Sequence, residues 1–241
     1  MINNEYTNLL EAFNNLRRFL LDEKPHIKEY KKIRKIHSEI VNSMVKLYHN
    51  GEYIQKPTSE STYQSGKDTT VGLLNCNFDL NTRLGAQGLY DIFIYKTAPN
   101  LSCITEDFIQ NKRFRKSEKI EFLHSMLDSD IGLFEITDTD FDEGYVYIKK
   151  IFTGKEDRII DVGLSGQQNY RDFYIYTRII THHGISFGSG LNFVFNKTDD
   201  FINNHIQYYK KNYTPSGEFI RFTELYNYLN NPGKDRVVLV T

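Results

Sequence analysis

Between residues 132 and 195 the chain breaks into short, aromatic-rich segments that alternate apolar and polar side chains. A period of two puts successive side chains on opposite faces, so these segments read as half-buried strands of an antiparallel sheet. They are GLFEIT, YVYIKKIF, DRIIDVG, FYIYTRIIT, GISFG and LNFVF. Thr153-Gly154-Lys155 between two of them is a hairpin signal, because glycine reaches positive φ at no steric cost. His183-Gly184 is a second turn, and Gly188-Ser189-Gly190 is a third turn or a bulge. Six short strands with hairpin-length links point to a small antiparallel barrel or a strongly coiled sheet. Tyr174 and Tyr176 share one strand face, expected to be core, and Phe173 takes the other. The stretch DFYIYTRII would invite aggregation on an edge, so it is expected to be central or covered.

On either side the period changes to that of a helix. Residues 3–22 carry Leu9, Leu10, Phe13, Leu16, Phe19 and Leu20 at spacings of three and four, an amphipathic helix. Pro25 opens a second helix to about residue 49, with Ile33, Ile36, Ile40, Met44 and Leu47 on one arc and Asn50-Gly51 as its stop. Residues 55–72 have no apolar period and read as a long connection. Residues 74–81 and 89–97 lean towards strand. Thr105 or Ser117 opens a short helix, the second burying Phe122, Leu123, Met126 and Leu127. Thr198 caps a helix over 199–211 that buries Phe201, Ile202, Ile206 and Tyr209. A last helix over about 218–230 buries Phe219, Phe222, Leu225, Tyr226 and Leu229, and VVLV at 237–240 reads as a terminal strand.

The fold class is therefore α+β: a helical N-terminal segment, an antiparallel β-rich middle and C-terminal helices. A helical hairpin over 1–54 and an α+β domain over 73–241, with strands at 132–195 and helices at 199–230, describe the organisation, as one continuous domain or as two. The chain holds 17 Tyr, 17 Phe and no Trp. Phe13, Phe19, Phe122, Phe201, Phe219 and Phe222 fall at helix-interior positions, and the surplus lies in the strands.

The sequence EGYVYIKKIFTGKEDRIIDVGLSGQQ, followed by FYIYTRIITHHGISFGSGLNFVF, resembles a small β-barrel module found in bacterial proteins that carry SEC-C zinc tails. The resemblance covers residues 143–195 and rests on Thr153, Gly154, Ser165, Thr177 and Arg178. The cysteine tail is absent, so no metal site is implied, and the family implies no agreed activity.

Charge and cysteine usage exclude several classes. Thirty Lys and Arg balance 31 Asp and Glu, against both a histone-like binder and an acidic solvating chain. Cys76 and Cys103 lack zinc or redox spacing and make no disulfide framework. The N-terminal residues do not read as a signal peptide, and no apolar run is long enough to span a membrane, so a cytoplasmic protein is expected. Abundant Asn, Lys, Ile and Tyr suggest a low-GC bacterium or phage as its source.

Three constellations stand out as candidate sites. Lys24, Lys28, Lys31 and Lys35 lie opposite the apolar arc of the second helix, widened by Lys32 and Arg34. With Arg178 they are candidate partner-binding residues, since nucleic-acid backbones reward cations at helical spacing. A second basic cluster comprises Lys112, Arg113, Arg115, Lys116 and Lys119. Seven acids from Asp128 to Glu143 are expected to pair with it. Asp138, Asp140 and Asp142 begin like a calcium loop, but Glu143 stands where that loop needs Gly and Lys149 where it needs Glu, so an EF-hand is rejected and only a looser cation site remains. His182 and His183, with Asp161, are the candidate catalytic set, as a general base. Ser165 lacks the following Gly of a nucleophile elbow, and nucleotide-binding glycine fingerprints are absent. No cofactor is indicated. The leading reading is a non-enzymatic binding or regulatory protein that recognises a protein or a nucleic acid, with homo-oligomerisation open. The alternative is a metal-assisted hydrolase, acting on nucleic acid, built from carboxylates 128–143 and His182/His183.

Overall fold

The computed structural model describes residues 15–50, 82–96 and 103–230. The expected connection at 55–72, strand at 74–81 and terminal strand at 237–240 lie outside the described residues, as do Leu9, Leu10 and Phe13. In chain order the elements are α1 (residues 15–22), α2 (Pro25–His49), α3 (Arg83–Ile94), α4 (Ile104–Gln110), α5 (Ser117–Leu127), β1 (Asp130–Asp140), β2 (Tyr145–Lys150), β3 (Glu156–Ile160), β4 (Phe173–His182), β5 (Ile185–Asn196), α6 (Asp200–Asn212) and α7 (Glu218–Leu229). The fold is mixed α+β, with helices towards both ends.

The five strands form one antiparallel sheet in the order β3-β2-β1-β4-β5. β4 is thus interior, which removes the edge hazard of its apolar sequence. Tight turns join the hairpins. Gly144 and Gly154 have positive φ, and His183 (φ 49°) and Gly184 (φ 77°) form a two-residue turn with both φ positive, the geometry that suits a twisted hairpin.

Alternation splits the sheet between two faces. Leu133, Tyr176, Phe193 and Phe195 look towards α6 and α7, packing on Ile202, Ile206, Phe219, Phe222, Leu225 and Tyr226. Further along the same face, Ile180 and Phe187 join Ile33, Ile40 and Met44 of α2, and Phe122, Leu123 and Met126 of α5. The other face curls on itself: Phe134, Ile136, Val146, Ile148, Ile159, Ile175 and Ile179 share a core closed by Leu164. β3 and β5 approach one another but do not pair, so the sheet is coiled and no barrel closes. The Tyr174/Tyr176 side is core, with Tyr176 fully buried.

Three local expectations need correction. Of the strand expected over 89–97, residues 89–94 belong instead to α3, whose N-cap Thr82 accepts a hydrogen bond from the Gly85 amide at 3.1 Å, and residue 97 lies outside the described residues. Ile92 of α3 enters one core while Ile94 enters another, so the helix is apolar on more than one side and hides its helical period. The segments GISFG and LNFVF are one strand, β5. Its ladder with β4 passes from Thr177–Asn192 to Ile179–Gly188, so Ser189, Gly190 and Leu191 bulge opposite Arg178, with Gly190 at φ 110°. Finally, the cap of α6 is Asp199, whose carboxylate accepts from the Phe201 amide at 2.9 Å, while the Thr198 hydroxyl turns to Asn196.

Candidate functional site

The side chains of β4 that face the helices include Arg178, which falls at the seam between the two helical cores. It is 1 % exposed, so it cannot meet a partner as the sequence suggested. Its guanidinium instead grips Asp91 of α3, with Nη2 donating to Oδ1 at 2.7 Å and Nε donating to Oδ1 and Oδ2 at 3.0 and 3.1 Å. Nη1 donates to Ser129 Oγ at 3.2 Å, and Ser189 in the β5 bulge donates to Asp91 Oδ2 at 3.3 Å. Burial opposes the Arg178 charge, but the Asp91 carboxylate more than offsets it, and the guanidinium pKa is raised. The same guanidinium lies over the ring of Tyr95, whose hydroxyl shares a 2.6 Å hydrogen bond with His37 of α2. Burial, aided by the charge of Arg34, pushes the His37 pKa down to about 3, so the ring is neutral at pH 7. This chain of contacts ties α2, α3 and the sheet together.

A second buried pair locks α7. Glu218 accepts from Arg221 Nη2 at 2.5 Å and from the Tyr176 hydroxyl at 2.8 Å. The Arg221 guanidinium rests among the rings of Tyr213, Tyr209 and Phe152. The Arg178–Asp91 pair has the character of scaffold, whereas in the second pair Arg221 Nη1 is buried without a hydrogen-bond partner, as is Nε2 of His205, which packs on the same Tyr209 ring.

The surface lysines of α2, and Lys24 just before it, are largely matched by acids. Lys24 pairs with Glu143, Lys28 with Glu23 and Lys31 with Asp22, and Lys32 reaches Glu29. Lys35 is exposed, while Arg34 is half-buried and donates to the Gly188 carbonyl at 2.9 Å. The face is of mixed sign rather than a cationic track.

Nor do the second basic cluster and the acidic run pair with each other. Lys119 binds Glu39 and Arg113 lies by Asp107. Among the acids, Asp130 takes Lys150 and Lys155, Glu135 takes Lys197 and Glu143 takes Lys24. The antiparallel ladders explain this, since they bring lysines of β2 and of the turn after it beside β1. Lys150 crosses the bare backbone of Gly132, where a Cβ would come within 2.5 Å of its Cε.

Asp138 accepts from the Tyr170 hydroxyl and Asp140 caps the Asp142 and Glu143 amides. Among the described residues no group of three His, Cys, Asp or Glu could hold a metal ion. His182 and His183 do come together, their rings stacked with centroids 4.0 Å apart. His182 Nδ1 is 2.9 Å from Ser125 Oγ and His183 Nε2 is 2.8 Å from Glu121. Asp161 does not join them. Its carboxylate caps the Leu164 amide at the start of a 3-10 turn, and burial raises its pKa. The histidines therefore clasp the β4–β5 turn to α5.

The surface feature that remains is α1. Arg17 holds this helix to the body by donating to the carbonyls of Phe141 and Val162 and to Ser165 Oγ, at 2.8–3.1 Å, and its guanidinium lies 4.0 Å from the Phe141 ring centroid. Leu21, one turn on, is buried. Docking through the Arg17/Leu21 side turns the neighbouring apolar side outward. Leu16 is 57 % exposed, Phe19 65 % and Leu20 58 %, so Phe19 is not the helix-interior residue its spacing suggested. Leu16, Arg17, Leu20 and Leu21 with Phe141 and Asp142 line a groove of about 170 Å³.

No helix among the described residues is long and apolar enough to cross a membrane. No curated protein and no solved structure matches the chain. One family model does match, over residues 24–236, beginning just after α1. A match over that much of the sequence makes this chain a member of the family of unknown function DUF7986.

Proposed function

We propose that the chain is a non-enzymatic binding protein that recognises a protein partner through the outward face of α1. One observation carries the reading: three large apolar side chains, each more than half exposed, stand on one turn-and-a-half of a helix that a buried leucine and a multiply bonded arginine hold in place. Scattered apolar residues on a surface are ordinary, but contiguous ones on a rigid element mark interaction sites. The mixed-sign face of α2 supports a protein over a nucleic acid, because phosphate backbones reward uncompensated cations. The groove supports binding over hydrolysis, since its lining is apolar apart from Arg17 and Asp142.

Site-specific photo-crosslinking in the cells that make the protein tests this. A photoreactive residue at position 19 is expected to yield one recurrent protein adduct, lost when Leu16→Asp is added. The same probe at Arg18 or Lys35 is expected to yield none. Adducts to nucleic acid from Lys35, or a position-19 adduct indifferent to Leu16→Asp, would contradict the reading.

A further inference from the structure

We infer that the N-terminus of α7 is a binding site for a small oxyanion, a phosphate group or an ion of its kind, which bonds to Arg221 Nη1 through the turn before the helix. The first observation is the unused edge of a buried cation. Arg221 is fully buried, its Nε and Nη2 are taken by Glu218, and Nη2 donates also to the Thr214 carbonyl at 3.0 Å. Nη1 is buried without a hydrogen-bond partner. A charged donor left so is costly in a protein interior, and such groups mark places where a ligand or ion belongs.

The second observation is where that edge is aimed. Gly217 is the N-cap of α7, and no side chain caps the helix there. A Cβ on Gly217 would stand 3.1 Å from Nη1 and 3.0 Å from Thr214 Oγ1, so the glycine leaves a cradle that both groups face. Its φ of −80° is open to any residue, so space and not backbone freedom is what glycine supplies here. Thr214, Pro215 and Ser216 are exposed, and rotating the Thr214 side chain opens the cradle to solvent without moving the backbone.

Everything that converges there donates. The guanidinium, the Thr214 hydroxyl and the first-turn amides of a 12-residue helix offer N–H and O–H groups, and the helix dipole is positive at that end. A ligand that accepts in several directions and carries negative charge meets all of them, which is the chemistry of an oxyanion. Lys210 and Lys211, exposed in the last turn of α6, favour its approach. Glu218 neutralises the other edge of Arg221, so binding is expected to be weak, with a dissociation constant on the order of millimolar.

Titration calorimetry of the full chain with inorganic phosphate, at fixed ionic strength, tests this. Saturable binding is expected in the parent. Thr214→Val, which loses one charge-assisted hydrogen bond, should weaken it about tenfold. Gly217→Ala, whose methyl fills the cradle, should abolish it while the circular dichroism spectrum stays that of the parent. If Gly217→Ala does not fold, Thr214→Val, changed only at an exposed residue, decides alone. Phenyl phosphate separates the sources: tighter binding than phosphate assigns the site to a phosphate group on a larger molecule, and equal or weaker binding assigns it to the free ion. No saturable binding in the parent overturns the inference, as does binding that a folded Gly217→Ala retains or that Thr214→Val leaves unchanged.

Discussion

Replacing Arg178 with Ala is expected to cost about 3–5 kcal/mol of folding stability, a drop of roughly 10 °C in the thermal midpoint for a chain of this size. The reason is the state left behind. Asp91 is 4 % exposed and takes three hydrogen bonds from Arg178, so truncation strands a carboxylate among apolar side chains. Arg178→Lys should recover little, because an ammonium on a flexible stem cannot reproduce the fork that spans both carboxylate oxygens. The double replacement Arg178→Met with Asp91→Leu should be far milder than either single truncation, because it removes both charges and keeps volume. Truncating the exposed Lys31–Asp22 pair should cost under about 1 kcal/mol. Urea unfolding of these variants checks the ranking. A double variant as damaged as Arg178→Ala would show that the pair is not the source of the loss.

Acidification acts on the neighbouring contact. The folded pKa of His37 is depressed to about 3 from an ordinary value of 6.5, chiefly by burial. The unfolded chain therefore binds a proton before the folded chain does. The stabilisation is fully present above pH 6.5 and drains away as pH falls towards 3. At about 1.4 kcal/mol per pKa unit, the step from pH 7 to pH 5 should cost about 2 kcal/mol through this residue alone. His182, also depressed by burial, adds to the slope with the same sign. Asp161, raised by burial, opposes it only at lower pH, where carboxylates titrate. In His37→Phe, which keeps a ring among Phe122, Phe187 and Tyr95, most of the loss between pH 7 and 5 should vanish. An unchanged slope would place the proton elsewhere.

How much of this was legible in the sequence differs by element. The strands were readable because a sheet buried on both faces in different places still keeps its period of two, and Gly144, Gly154 and Gly184 punctuate its turns. The same logic failed for α3. Its residues LYDIFI serve two cores, and a helix apolar on several sides resembles a strand when only eight or nine residues are viewed.

The buried pair was hidden for a related reason. Asp91 and Arg178 are 87 positions apart, yet each is the lone charge inside an apolar run, LYDIFIY and FYIYTRII. That shared oddity is the signal that could have joined them, and reading Arg178 as a contact for partners overlooked it. The histidine pair was legible as a turn, and its geometry is that of a turn. The lysines of α2 were placed correctly on the outer face, but their partners Glu23 and Asp22 come from the preceding helix end, a tertiary fact that helical spacing does not contain.

The amphipathic character of α1 was plain, whereas its docked side was not. Apolar spacing names the stripe but does not say what the stripe meets. Arg17, a polar member of the helix, fixes the orientation by finding two carbonyls and a hydroxyl more than 120 positions away. That orientation is what leaves Leu16, Phe19 and Leu20 exposed.

The most direct test is therefore the folding stability of Leu16→Asp, Phe19→Asp and Leu20→Asp in dilute solution, measured by denaturant unfolding. An outward face predicts that each stays within about 0.5 kcal/mol of the parent, as surface substitutions do. A loss of about 2–5 kcal/mol in each, the cost of deleting a core side chain, would show that the face is packed within the folded monomer and contradict its role in docking.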